Sequence, residues 1–151
     1  YIAKLMKDLK ETGRFEVTGE VLAKIKDKFL AGFADDEQTK ETIKSIYEKD
    51  NYLLDTHTAV AYKVLLDNLD SEHTSIVLST ASPYKFTESV YSSLFKTQGE
   101  DEFTLMNKLY EQTKVVIPKN LRDLDKKEIR HKDVINKEDM KKYILEKLGD
   151  L

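Results

Sequence analysis

The residues best placed to do chemistry lie in Ser75-Ile76-Val77-Leu78-Ser79-Thr80-Ala81-Ser82-Pro83-Tyr84-Lys85-Phe86. A β-branched and aliphatic run stops in small hydroxyl residues, followed by a proline and a helix start. In an open α/β sheet, ligands bind outside the carboxyl ends of the strands. Ser79 and Thr80 would stand at such an end, each able to donate or accept a hydrogen bond to a bound cofactor. On the residues alone, a local role outweighs this one, with the hydroxyls satisfying backbone groups where the strand gives way to the helix. Lys85 sits near the helix start, where a cation is electrostatically unfavourable. It therefore calls for a partner, either a ligand phosphate or Glu88 or another carboxylate.

His57, two residues after Asp55, is the other candidate. An imidazole there could transfer protons, but a buried, hydrogen-bonded histidine at a helix start is the stronger reading. A metal site would need further ligands at helical spacing, and none is offered, so no metal is expected. Glycine-rich phosphate loops, a G-x-S-x-G elbow and an H-E-x-x-H pair are all missing from the sequence. His73 and His131 lie in polar surroundings and read as solvated. Tyr52, Tyr62, Tyr91, Tyr110 and Tyr143 fall at helical spacing and read as core or half-buried packing.

These residues need a scaffold, and the apolar periodicity supplies a helix-rich α/β one. Ile2, Leu5, Met6 and Leu9 mark a first helix that Gly13 ends. Thr18 caps a second, with Val21, Leu22, Ile25 and Phe29 inward. Asp35 or Asp36 caps a third, carrying Thr39, Ile43, Ile46 and Tyr47 on one face. Asp55 opens a fourth, with Val60, Ala61, Val64 and Leu65 as its stripe, and Asn68, Asp70 and Ser71 end it. One buried strand follows, at about 75–79. Residues 14–17 and 129–135 have the pattern of further short strands. Pro83 leads into a helix with Val90, Tyr91, Leu94 and Phe95, which Gly99 breaks. Asp101 to Gln112 is helical again, through Phe103, Met106, Leu109 and Tyr110. Beyond Pro118 the chain is irregular until a final helix from Asn136 or Lys137, with Met140, Tyr143, Ile144 and Leu148 inward.

With 151 residues the chain can build one ordinary domain. Its composition, 40% hydrophobic and 35% charged, is that of a globular protein rather than a disordered one. A net charge of −3 argues against a nucleic-acid partner, which would face a concentrated basic surface. The lysines between Lys108 and Lys142 alternate with acids and read as a solvated face. No apolar run approaches the roughly 20 residues of a membrane span, so no membrane partner is expected. Cysteine is absent, which rules out a disulfide framework and fits a cytoplasmic location. The chain begins at Tyr1, inside the first helical pattern, which suggests a piece of a longer polypeptide.

Two blocks carry a family resemblance. Asn51-Tyr52-Leu53-Leu54-Asp55-Thr56-His57-Thr58-Ala59-Val60 is similar to the Y-x-x-D-P-H-T-A-x-A segment of bacterial and fungal threonine synthases. Leu78-Ser79-Thr80-Ala81-Ser82-Pro83-Tyr84-Lys85-Phe86 resembles that family's L-x-T-A-H-P-A-K-F. Both occur in order and at the family's separation. Upstream, Gly13-Arg14-Phe15-Glu16-Val17 and Phe33-Ala34-Asp35-Asp36-Glu37 look similar too. The resemblance covers most of residues 11–90 and, more weakly, the tail. Two positions depart from it, with Thr56 in place of the usual proline and Ser82 in place of the usual histidine.

The resemblance implies a pyridoxal 5'-phosphate enzyme of fold type II, the fold of the tryptophan synthase β-subunit. Its reaction would convert O-phosphohomoserine and water into threonine and phosphate. Thr80 would meet the pyridine nitrogen of the cofactor, with Ser79 its close rival. Asp55 and His57 would shape the site, and Lys85 could hold an anionic group on the substrate side. The family's Schiff-base lysine and phosphate-binding loop lie in its N-terminal half, and nothing here matches them. The resemblance therefore makes residues 1–151 a single C-terminal portion whose partner is the N-terminal remainder of its own chain. Alone, it is expected to be inactive and to self-associate through uncovered apolar surface. The rival reading is a helix-rich, non-catalytic interaction module.

Overall fold

A computed structural model describes residues 1–70 and 72–149. It contains seven α-helices among these residues: α1 (Ile2–Thr12), α2 (Gly19–Lys28), α3 (Asp36–Asp50), α4 (Thr56–Asp67), α5 (Thr87–Leu94), α6 (Glu102–Thr113) and α7 (Met140–Gly149). The chain divides into two compact units, Tyr1–Val115 and Val116–Leu151.

Local chemistry sets the helix ends. Gly13 closes α1 at φ 74°, in the left-handed region, and its N–H reaches Leu9 O. Thr18 caps α2 through Val21 N. Asp35 and Gln38 form a reciprocal capping box at α3, each side chain accepting the other's backbone N–H. Asp55 caps α4 and Asp101 caps α6. Before α5, Ser82 caps a 3-10 turn over Pro83–Phe86 by accepting from Tyr84 N at 3.2 Å. Helix α5 itself stops at Leu94, before the left-handed Gly99. Ser71, expected to help end α4, lies outside the described residues.

The core of the first unit forms where α3 packs on α4 and α5, and α5 on α6. Ile43, Val90, Leu105 and Leu109 are fully buried there, together with the Thr87 side chain. The Thr87 hydroxyl avoids an unpaired burial by donating to Tyr84 O at 3.1 Å. Tyr84 is itself buried and donates to Val115 O at 2.5 Å, a contact that ties the 3-10 turn to the end of the unit. Burial pushes its phenol up to about 12. Gly32 sits against α4 so closely that an added Cβ would stand 2.7 Å from Val64 Cγ1. Glycine thus lets the loop before α3 close on α4.

The expected sheet is missing. Among the described residues there is no β-strand, neither at 75–79 nor at 14–17 or 129–135. A strand is completed by another strand's N–H and C=O groups, and no described segment offers them to 75–79. Far from being buried, Ile76 is 83% and Leu78 74% exposed. The fold class is therefore all-helical over the described residues, not α/β.

Burial also departs from the periodic expectation at both ends. No residue of α2 or α7 is buried, and Leu22, Ile25, Phe29, Met140, Ile144 and Leu148 are exposed. An amphipathic stripe specifies a face that favours cover, not that the cover lies within the same 151 residues. Tyr52 and Tyr110 are also exposed, whereas Tyr91 is core. No helix is long and apolar enough to cross a membrane, among the described residues.

Candidate functional site

Asp55 is the hub. Its D-x-x-T context makes it an N-cap, and burial between the start of α4 and the core leaves it only 3% exposed. Oδ1 accepts from His57 N at 2.9 Å and Thr58 N at 3.3 Å. The same oxygen stands 3.2 Å from His57 Nδ1. Oδ2 accepts from the Thr58 hydroxyl. A buried carboxylate with four donors around it is a satisfied one.

Thr58 extends this network across the chain, since its Oγ1 lies 3.4 Å from Ser79 Oγ. A hydroxyl has one proton, and Thr58 gives it to the carboxylate. The proton of the second contact is therefore Ser79's. Ser79 is thereby engaged as a donor, whereas the Thr80 side chain makes no hydrogen bond among the described residues and is exposed.

His57 is hydrogen-bonded, as expected, but not buried: its side chain is 50% exposed. Nδ1 faces Asp55, and no described residue hydrogen-bonds Nε2. The ring lies against Phe86, with centroids 5.5 Å apart and planes tilted by 34°. Phe86 in turn carries the Lys85 ammonium 5.6 Å from its ring centre, a cation–π distance. Neither Glu88 nor any other described carboxylate pairs with Lys85. Within the described residues Lys85 meets an aromatic face in place of the carboxylate that was one of its two expected partners.

Two clefts flank the hub. One, of about 380 Å³, is lined by Asp36 and Lys40 of α3, Thr56, His57 and Val60 of α4, and Phe86 and Ser89. The other, of about 340 Å³, takes in Tyr52, Thr58, Tyr62, Val77 and Ser79. The structure thus links Asp55, His57 and Ser79 in one network and sets Lys85 beside it through Phe86. Thr80 stands outside that network. Thr58 and Phe86 were not singled out from the sequence, although both lie inside the two motif blocks. The three-residue step from Asp55 to Thr58 was the available signal for the first.

The family model described as "Threonine synthase, C-terminal" matches residues 58–144. The threonine synthase of Schizosaccharomyces pombe is 36% identical over 62% of this chain and 19% of its own length. That of Saccharomyces cerevisiae is 30% identical over 95% of this chain and 28% of its own. Among solved structures, a pyridoxal-phosphate-bound threonine synthase from Brucella melitensis aligns with TM-score 0.59 and 33% identity, covering 70% of this chain and 23% of that one. The chain thus spans less than a third of the length of these relatives.

Proposed function

The chain belongs to the threonine synthase family, and from that premise we propose that it serves as the C-terminal part of an enzyme forming threonine and phosphate from O-phosphohomoserine and water. The observation that carries this reading is the family match running from Thr58 to Ile144, which includes the second motif block. The remainder of the enzyme, N-terminal to this portion, supplies the lysine that bonds the cofactor and the loop that holds its phosphate. Residues 1–151 alone are inactive, and their exposed apolar residues favour self-association. The enzyme works in the cytoplasm.

The donor set here fits one end of pyridoxal 5'-phosphate. An unprotonated pyridine nitrogen needs a neutral donor, and Thr80 has an uncommitted hydroxyl proton. Ser79 is the weaker candidate because its proton goes to Thr58. Asp55 cannot take that place, since its oxygens are occupied at the start of α4. When bound, the cofactor supplies an electron sink. The residues of this chain orient it by one hydrogen bond, shape the wall beside it through Asp55 and His57, and offer Lys85 on the substrate side.

The test is threonine and phosphate formation by the full-length protein with pyridoxal 5'-phosphate. Thr80→Val is expected to lower kcat/KM about 100- to 1000-fold, the cost of losing one preorganised donor, with an unchanged unfolding midpoint. Ser79→Ala changes it only a few-fold. Full activity in Thr80→Val would remove the assigned role, and no threonine from the wild type would remove the activity.

A further inference from the structure

The 380 Å³ cleft contains one feature that orienting a cofactor does not require. His57 presents an imidazole whose Nδ1 is held by a buried carboxylate and whose Nε2 has no described partner. Asp55 as a carboxylate can only accept. The Thr56 hydroxyl, 3.5 Å from Nδ1, can accept as well as donate, so the carboxylate at 3.2 Å decides: it places the ring proton on Nδ1 and leaves the Nε2 lone pair free in the neutral imidazole. Packing on Phe86 at 5.5 Å fixes the plane of the ring. A group fixed at one nitrogen, braced on its face and open at the other nitrogen is built to accept a hydrogen bond from something small and protic.

The cleft does not suit an anion. The first-turn N–H groups of His57 and Thr58 are already taken by Asp55, so the start of α4 has little left to offer one. Asp36 adds a carboxylate to the lining, one helical turn before the single ammonium of Lys40 on the same helix. The hydroxyls of Thr56 and Ser89 add polar groups to a lining that Ala34, Val60 and Phe86 otherwise make apolar.

We propose that His57 Nε2 accepts a hydrogen bond from the water that the reaction consumes and orients it, and that Asp55 is the positioning residue that fixes the tautomer needed for this. The inference rests on the reading of the preceding section, because only that reaction makes water a reactant. Holding a reactant in one orientation is worth orders of magnitude in rate.

Two experiments on the full-length protein test it. The first is nitrogen-15 NMR of labelled histidine, with the His57 signal assigned by its loss in His57→Asn. The expected neutral form is protonated at Nδ1 and unprotonated at Nε2. A proton on Nε2 in the neutral form overturns the proposal, whether or not the protein makes threonine. The second is the kinetics of His57→Ala with imidazole added as the probe. The expected outcome is a kcat about 100-fold lower, with KM little changed, and recovery of about tenfold when imidazole enters the vacated cleft. An unchanged kcat in a wild-type background that does make threonine defeats this inference alone. A lost kcat that imidazole does not restore also defeats it, since it marks the histidine as structural. Wild type that makes no threonine defeats the preceding reading instead.

Discussion

The two motif blocks fold in contrasting ways. Residues 51–60 are largely self-sufficient: Leu53, Leu54, Asp55, Thr58 and Ala59 are buried, and the carboxylate finds its donors within three residues. Residues 75–80 carry no regular structure, expose Ile76 and Leu78, and make a single side-chain link inward, from Ser79 to Thr58. A helix start satisfies its groups with near neighbours, whereas an extended segment depends on atoms distant in sequence. The first block is therefore held by this chain, and the second presents apolar side chains and an uncommitted Thr80 hydroxyl outward.

The most forceful way to break that contrast is to truncate each side and compare unfolding by urea. Ile43→Ala removes a fully buried side chain from α3, the helix on which α4 packs, and Leu109→Ala removes one from α6, further along the same core. Either is expected to cost about 2–5 kcal/mol. Ile76→Ser or Leu78→Ser removes a side chain already 83% or 74% exposed, and is expected to change stability by about 0.5 kcal/mol or less. Equal losses on both sides would mean that 75–80 is held by this chain after all.

A smaller effect sharpens the first half of the comparison. Asp55→Ala removes the α4 cap and the carboxylate acceptor of the buried Thr58 hydroxyl, which keeps only the longer contact with Ser79, so a loss of about 2 kcal/mol is expected. Asp55→Asn retains a good capping side chain and is expected to lose less than half of that. If the two variants unfold alike, the carboxylate is not acting as a cap, and the self-sufficiency of residues 51–60 must come from elsewhere.

What could be read from the sequence follows the same division. Thr18 and Asp55 were legible as caps, Asp35 as one of two candidates with Asp36, and Gly13 as a stop, because each acts on atoms one to four residues away. The faces of α3 and α6 were legible from periodicity, with Ile43, Ile46, Met106 and Leu109 buried as expected. The strand at 75–79 was misread because an aliphatic run records a preference for extended backbone and says nothing of a partner. In the site, the closeness of Asp55 and His57 is local and was legible. The Thr58 to Ser79 contact spans 21 residues and the Phe86 ring reaches His57 from the far side of the loop, and neither leaves a mark in spacing.

The smallest expected effect concerns a contact that is local in space yet eight residues apart, between Glu100 and Lys108. Glu100 Oε1 accepts from the lysine ammonium, and Oε2 accepts from Gln98 N at 2.7 Å. The hydrogen bond from Lys108, then that from Gln98, holds the Glu100 carboxyl down to about 2, from an ordinary 4.5. The unfolded chain therefore binds this proton more readily than the folded one, so the contribution is complete above about pH 4.5 and is lost as pH falls towards 2. Glu100→Gln removes it. The unfolding midpoint of the variant is expected to lie slightly below that of the wild type at pH 6, with the gap closing towards pH 2 and shrinking somewhat in high salt, because the lysine end of the pair is exposed while the Glu100 side chain is largely covered. A gap that persists at pH 2 would show that Glu100 acts through packing at the turn before α6 rather than through its charge. That turn would then be held by shape alone, as residues 75–80 are not.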